Sequence, residues 1–200
     1  MSPPLQRHPR FAELLDAFLV HPEWFTPWTG TVFRFQSIDY PSQGDVLSGM
    51  GAGHRGGRWN PPGLRALYGS TTDTTALEEC RAHDRYYGVQ TRSPRLLVAI
   101  EARLPQMLAL VNPAIRRRLG VTSAELAHED WRKVQNSGRE SLTQAIGRAL
   151  ATSGGSGLLA RSAADRLGVT VVMFPGCLAT GHLMVVEGER LDRWTGQAGV

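Results

Sequence analysis

Residues 56–79 read GGRWNPPGLRALYGSTTDTTALEE and predict a turn, a strand and a helix in quick succession. Residues 60–63, Asn-Pro-Pro-Gly, are a strong turn signal, because proline fixes φ and glycine tolerates unusual backbone angles. The apolar residues 66–70 that follow predict a short strand. Thr72 then supplies an N-cap side chain for a helix that we expect to run to about Tyr86.

The same patterns predict further elements on either side of this stretch. Apolar residues at helical spacing predict amphipathic helices from Phe11 to Leu19 and from Leu142 to Leu150. Further strands are expected at residues 31–36, 95–103, 158–161, 168–174 and 182–187, and short helices at residues 113–119 and 123–129. The glycine-rich residues 44–57 predict an irregular loop. Because helices and strands mix without a βαβ rhythm, we expect an α+β fold in a single domain, residues 1–200, with residues 1–30 as a helical lead-in.

Composition excludes several classes of protein. The chain has 200 residues, of which 42% are hydrophobic and 20% charged, so it is neither disordered nor collagen-like. No apolar run is long enough to cross a membrane, and no basic-then-apolar start predicts a secreted precursor. Two cysteines, Cys80 and Cys177, cannot make a disulfide framework, so a reducing, cytoplasmic setting is expected.

The charge balance invites a nucleic-acid interpretation without supporting it strongly. The formal net charge is +4, but the basic residues are scattered and residues 116–118 form the single run of three arginines. Direct nucleic-acid binding is therefore not expected. A non-catalytic basic nucleic-acid-binding or interaction module stays the alternative to an enzyme.

Known cofactor motifs are absent from the sequence. It has no GxGxxG motif opening a helix after a strand, no GxxxxGK[ST] motif, and no paired histidines at HExxH spacing. Rossmann oxidoreductases and P-loop nucleoside triphosphatases are excluded, and no metal site is expected.

A few residues stand out, each with a structural alternative. Arg34 is charged inside an apolar strand, although it could be an edge residue with its stem packed on the sheet. Glu78 and Glu79 could favour the helix dipole, and the spacing Thr75-x-x-Glu78 matches a capping box. Ser162 could be the N-cap of a short turn.

Taken together, these segments resemble the RES domain family, toxins of bacterial RES–Xre type toxin–antitoxin pairs named for an Arg, a Glu and a Ser. The resemblance rests on Phe-Arg-Phe in the first strand, GGRWNPPG, ALY and TALEE, all within residues 31–80, and on residues 157–175, GLLARSA through Phe-Pro. Many members have proline before the serine, where this chain has Arg161.

The resemblance implies an ADP-ribosyltransferase-like mixed β core that binds NAD in a cleft and breaks its nicotinamide–ribose bond. Carried over by motif, the catalytic residues are Arg34, Glu79 and Ser162, and Arg34, Arg58, Tyr68 and Ser162 contact NAD. NAD is then the substrate, with no metal required. A small antitoxin with a helix-turn-helix region is the implied partner.

The chemistry of these residue types suits NAD. Guanidinium groups of Arg34 and Arg58 match a pyrophosphate, and an aromatic face such as that of Tyr68 can stack on the cationic nicotinamide ring. Neutral nicotinamide leaves without a general acid, so one carboxylate, Glu79, suffices near the oxocarbenium-like ribose. Water, phosphate and a protein side chain all remain open as acceptors, so glycohydrolase, phosphorylase and ADP-ribosyltransferase activities are alternatives.

Overall fold

The computed structural model describes residues 4–88, 94–180 and 182–197 as a mixed sheet flanked by helices. The strands are β1 (Phe25–Ser37), β2 (Leu67–Ser70), β3 (Arg95–Ala109), β4 (Gly157–Arg161), β5 (Val169–Met173) and β6 (Leu183–Val185). The helices are α1 (Phe11–Val20), α2 (Gln43–Ser48), α3 (Met50–Arg55), α4 (Asp73–Tyr87), α5 (Pro113–Arg118), α6 (Ser123–His128), α7 (Trp131–Asn136), α8 (Leu142–Thr152) and α9 (Gly188–Gln197). The predicted α+β class is confirmed.

The sheet closes on itself through one additional strand pairing. Its strand order is β1-β2-β5-β4-β3-β6, and β1 also pairs with β3 along most of its length. The β3–β4 pair is parallel, whereas the other pairs among the described strands are antiparallel. As a result, β1, β2 and β5 lie side by side beneath α4, which contacts all three.

Side chains from opposite faces of the sheet fill two apolar clusters. In β5, Val171 and Met173 enter one cluster, while Val172 and the following Phe174 enter the other, as the twofold repeat of a strand requires. The cluster with Phe174 also receives Leu14 and Phe18 from α1 and Ile146 from α8. This buried face anchors the sheet that carries the cleft.

Several predicted boundaries change in the structure. β1 begins at Phe25 rather than at residue 31, because its register shifts at Pro27, where a bulge tolerates the missing N–H group. β3 continues to Ala109, beyond the predicted end at residue 103. The helices α7 and α9 lie where no helix was predicted. Within the described ranges, no helix has both the length and the apolar character needed to cross a bilayer.

The prediction of an irregular loop at residues 44–57 was wrong. Two short helices, α2 and α3, occupy most of this segment. The Ser42 hydroxyl caps α2 by accepting from the Asp45 N–H, and Gly49, with φ of 64°, turns the chain between the helices. A Cβ atom on Gly49 would also lie 3.0 Å from the backbone of Ala66, so glycine suits this joint for both reasons.

Candidate active site

A cleft of about 710 Å³ opens between α4, the strands β1, β2 and β5, and the loop after α3. This volume lies within the range of about 300–1,000 Å³ that is usual for small-molecule sites. Four of the predicted site residues, Arg34, Arg58, Tyr68 and Glu79, line the cleft. Ser162, the fifth predicted site residue, is hydrogen-bonded to Glu79.

Two hydroxyl groups hold the Glu79 carboxylate in place. The Ser162 Oγ donates to Glu79 Oε1 at 2.5 Å, and Thr170 Oγ1 in β5 donates to the same oxygen at 3.2 Å. Glu79 lies in the second turn of α4, so a helix sets its Cα position while a loop and a strand fix the orientation of its carboxylate. The carboxylate is therefore oriented before any ligand arrives.

Ser162 is itself held by its own turn. Its hydroxyl oxygen accepts from the backbone N–H groups of Ala164 at 3.1 Å and Asp165 at 3.0 Å, and its own N–H donates to Gly168 O at 3.0 Å. The turn-capping role suggested by the sequence is thus present together with the contact to Glu79. Because the hydroxyl proton is directed to Glu79, Ser162 helps to orient this carboxylate. A catalytic role of Ser162 and its direct contact with NAD stay predictions.

Arg34 brings a partly buried cation to the cleft from the middle of β1. Its Nη2 donates to Gln36 Oε1 at 2.7 Å, and Gln36 Nε2 donates in turn to Tyr40 O at 2.8 Å. Among the described residues, its buried Nε has no hydrogen-bond partner. Burial lowers the pKa of Arg34 to about 10, which leaves the guanidinium charged at neutral pH. Arg34 therefore offers a charged donor suited to an anion.

Arg58 lies in the GGRWN loop, and hydrogen bonds hold one nitrogen of its guanidinium group. Its Nη1 donates to the carbonyl oxygens of Leu126, at 3.0 Å, and Glu129, at 3.2 Å. Burial lowers the pKa of Arg58, while the nearby Glu79 carboxylate acts in the opposite direction. These contacts fix the guanidinium at the cleft wall, within electrostatic range of Glu79.

Tyr68 in β2 stabilises the same loop through hydrogen bonds. Its hydroxyl accepts from the Trp59 N–H at 2.8 Å and donates to Asn60 Oδ1 at 2.7 Å. Burial raises the pKa of Tyr68, so the phenol stays neutral. Asn60 in turn donates to the carbonyl oxygens of Ala52 and Leu64 at 2.9 and 2.8 Å. The ring of Tyr68 therefore lines the cleft while its hydroxyl holds the loop that carries Arg58.

Charge in the cleft is strongly asymmetric. The lining among the described residues includes six arginines but a single carboxylate, Glu79. The arginines are Arg34, Arg55, Arg58, Arg95, Arg132 and Arg161. In the part of the chain that the structure covers, no three His, Cys, Asp or Glu side chains are grouped to hold a metal ion. The cleft thus suits a ligand with two or more negative charges and one cationic centre beside Glu79.

The neighbouring Glu78 does not have the role predicted for it. Thr72 caps α4 by accepting from the Thr75 N–H at 3.1 Å, so the predicted capping box Thr75-x-x-Glu78 is wrong by one turn. Glu78 instead pairs with Arg81 at 2.8 Å on the outer side of the helix. Glu78 and Glu79 therefore face different surroundings, which makes Glu78 a useful control.

Sequence reasoning missed several residues of the cleft. Thr170 was read as part of a strand, and nothing in that strand predicts that its hydroxyl meets Glu79. Arg132 comes from α7, which was not predicted at all. Tyr86 and Tyr87 line the cleft too, and their spacing from Glu79, seven and eight residues along one helix, was the signal that could have found them.

Comparisons with known proteins identify the family. The sequence matches the family model of the RES domain over residues 31–194, a range that includes residues 104–150, for which the motif resemblance gave no match. No curated protein matches with significant sequence similarity. Among solved structures, the crystal structure of the M. tuberculosis MbcT–MbcA toxin–antitoxin complex contains a chain of similar fold, with a TM-score of 0.68 and 22% sequence identity over 93% of this chain and 97% of that chain. The family match spans most of the sequence and contains every predicted site residue, so this chain belongs to the RES domain family.

Proposed function

We propose that this protein cleaves the nicotinamide–ribose bond of NAD. The observation that carries the proposal is Glu79, the single carboxylate among the described residues of the cleft, which two hydroxyl groups fix and arginines surround. NAD carries the complementary charges, a dianionic pyrophosphate and a cationic nicotinamide joined through ribose. Arg34 and Arg58 match the pyrophosphate, and Glu79 matches the positive charge at the ribose.

The proposed reaction needs little proton transfer. The C1′–N bond of the nicotinamide ribose breaks, and its electron pair goes to the ring nitrogen, which leaves as neutral nicotinamide. The ribose becomes oxocarbenium-like, and the Glu79 carboxylate stabilises this charge because it is oriented before the substrate binds. An acceptor then bonds to C1′: water gives ADP-ribose, and phosphate gives its 1-phosphate, the acceptor's proton passing to solvent in the case of water.

Ser162 is expected to act through Glu79, which a double-mutant cycle tests. Ser162→Ala should lower kcat about tenfold with little change in KM, because the carboxylate loses the shorter of its two hydroxyl contacts. In a Glu79→Gln background the same change should have little further effect, since interacting residues are not additive. Full additivity of the two changes in kcat would instead show that Ser162 touches the substrate independently.

The arginine pair is expected to bind the pyrophosphate as planar forks. Arg34→Lys and Arg58→Lys should each weaken NAD affinity about tenfold, because lysine keeps the charge but loses the bidentate geometry. Calorimetric titration in the Glu79→Gln background measures binding without turnover. Arg118→Lys, an exposed change on α5 outside the cleft, is the matched control. Unchanged affinity in both cleft variants would place the pyrophosphate elsewhere.

We further propose that the protein is a toxin controlled by an antitoxin. The support is membership of the RES domain family and the fold shared with a chain of a toxin–antitoxin complex. Cytoplasmic NAD would meet an open cleft continually, so a partner must cover it, and an acidic segment placed against Arg34 or Arg58 would do so. Small antitoxins with a helix-turn-helix region are the expected class.

Expression of the chain alone tests this role. Growth should stop and cellular NAD should fall on induction, whereas the Glu79→Gln variant at equal protein level should leave both unchanged. Active protein that accumulates without slowing growth, in cells with normal NAD, would contradict the toxin role and leave the family assignment in place.

The acceptor is decided by the products. Incubation with NAD in the presence and absence of phosphate distinguishes ADP-ribose from its 1-phosphate, and labelled NAD added to a cell extract reveals any protein that receives ADP-ribose. Labelled protein as the main product would favour the ADP-ribosyltransferase alternative.

A further inference from the structure

The end of the cleft farther from Glu79 has a chemistry of its own. Tyr86 and Tyr87, in the last turn of α4, line it together with Trp131 and Arg132 of α7. The Arg132 guanidinium carbon lies 4.2 Å from the centre of the Tyr86 ring and 4.5 Å from that of Trp131. Cation–π attraction to these two rings holds the Arg132 guanidinium in place at this end of the cleft.

This wall is open to a ligand. Tyr86 and Tyr87 are 51% and 55% exposed, so their rings are accessible to a ligand. Within the described residues, the buried Nε of Arg132 has no hydrogen-bond partner, and Arg132 takes part in no ion pair that the structure shows. The end of the cleft therefore combines an exposed aromatic surface with a guanidinium that has no ion-pair partner among the described residues.

The spacing along α4 relates this wall to the reaction centre. Glu79 and Tyr86 are seven residues apart on one face of the helix, which separates them by about 10 Å at 1.5 Å per residue. The arginines Arg34 and Arg58 lie in the same cleft. A dinucleotide likewise carries a base at each end, joined through two riboses and a pyrophosphate.

Charge decides which base belongs at which end. The nicotinamide ring of NAD is cationic, so it is repelled by Arg132 and attracted by Glu79. A purine is neutral and offers a large flat face for stacking on an aromatic ring. The wall formed by Tyr86 and Arg132 thus suits a purine and rejects the nicotinamide.

From this arrangement we propose that Tyr86 and Arg132 form a purine-binding subsite that holds the adenine of NAD, an inference that rests on the proposed function. The base stacks on the exposed ring of Tyr86, and the Arg132 guanidinium, which packs on the same ring, repels the cationic nicotinamide from this end of the cleft. The subsite fixes the direction in which the dinucleotide lies in the cleft and makes the enzyme select NAD over nicotinamide mononucleotide.

Binding of ADP, which cannot react, tests the subsite without turnover. Calorimetry should show tighter binding of ADP than of UDP, because the purine stacks over a larger area than the pyrimidine. Tyr86→Ala should weaken ADP binding about tenfold or more, the loss expected for one base–aromatic stack, and should weaken UDP binding less. Tyr86→Phe keeps the ring and should retain the affinity for ADP. Arg132→Gln should also reduce the preference for ADP over UDP.

Several outcomes would overturn the subsite. These are no binding of ADP by the unmodified protein, equal affinities of Tyr86→Ala and the unmodified protein for ADP, or equal losses for ADP and UDP. A kinetic comparison gives an independent measure: the ratio of kcat/KM for NAD to that for nicotinamide mononucleotide should fall about tenfold in Tyr86→Ala. An unchanged ratio would contradict the proposal.

Different results would refute the purine subsite and the proposed cleavage of NAD. Purine-selective binding that depends on Tyr86, in a protein that releases no nicotinamide from NAD, would support the subsite and refute NAD cleavage. Nicotinamide release by a protein that binds ADP and UDP equally would support NAD cleavage and refute the subsite.

Discussion

Glu79→Gln is expected to lower kcat for NAD cleavage by about 100- to 1,000-fold, the usual cost of removing one preorganised electrostatic stabiliser. Glutamine keeps the length of the side chain, and its Oε1 can still accept from Ser162 and Thr170. What it removes is the negative charge beside the oxocarbenium-like ribose. The affinity for NAD should change less than kcat, because the charge acts mainly in the transition state.

The neighbouring acid provides the matched control. Glu78→Gln removes the same charge one residue earlier on α4, where Glu78 pairs with Arg81 on the outer side of the helix. We expect its kcat to stay within about twofold of the unmodified protein, since exposed ion pairs contribute little. A Glu79→Gln variant that folds normally and keeps near-normal turnover would refute the catalytic role of this carboxylate.

Gly147→Ala is expected to destabilise the protein by about 3 kcal/mol or more, at or beyond the upper part of the range for overpacking. A Cβ atom at position 147 would lie 1.7 Å from the carbonyl oxygen of Trp59. The GGRWN loop, which contains Trp59, cannot easily move away from α8. Gln144 Nε2 holds it by donating to the carbonyl oxygens of Gly57 and Asn60 at 3.1 and 3.3 Å. Helix propensity alone predicts the opposite sign, a gain of about 1 kcal/mol.

Thermal unfolding measures this effect, with Tm falling by about 6 °C or more for a chain of this size. Gly44→Ala in α2 is the control, because the nearest atom to its added Cβ atom lies 3.8 Å away. We expect Gly44→Ala to leave Tm within a few degrees. Equal Tm values for Gly147→Ala and the unmodified protein would show that α8 does not clamp the GGRWN loop.

Periodicity predicted the elements whose apolar faces enter the core. The helix α1 was predicted correctly because Leu14 and Phe18, at helical spacing, form its buried face. It ends at Val20, one residue beyond the predicted Leu19. The predicted helix from Thr72 appears as α4 for a similar reason, the Thr72 cap being a local signal. Such signals lie within a few residues of the element that they predict.

Segments without strong periodicity were predicted poorly. Residues 44–57 were read as a loop because their glycines weaken helix propensity. The Ser42 cap and the packing of Val46 into the apolar cluster that contains Val171 and Met173 nevertheless stabilise α2. Contacts that are distant in sequence decide the outcome there, and one sequence does not reveal them.

The same distinction holds for the cleft. The motif resemblance selected Arg34, Arg58, Tyr68 and Glu79, and the structure places all four around one cavity. The hydroxyl contact of Thr170 with Glu79 joins residues 91 positions apart, and Arg132 reaches Tyr86 from a separate helix. Both contacts depend on how distant elements pack around α4, so neither contact leaves a local pattern in the sequence.

Release of nicotinamide from NAD by the purified protein tests the central claim most directly. We expect one nicotinamide for each NAD consumed, with turnover in the unmodified protein and in Glu78→Gln, and a rate at least about 100-fold lower in Glu79→Gln. Folded protein that consumes no NAD, with and without added phosphate, or release that is independent of Glu79, would contradict the account.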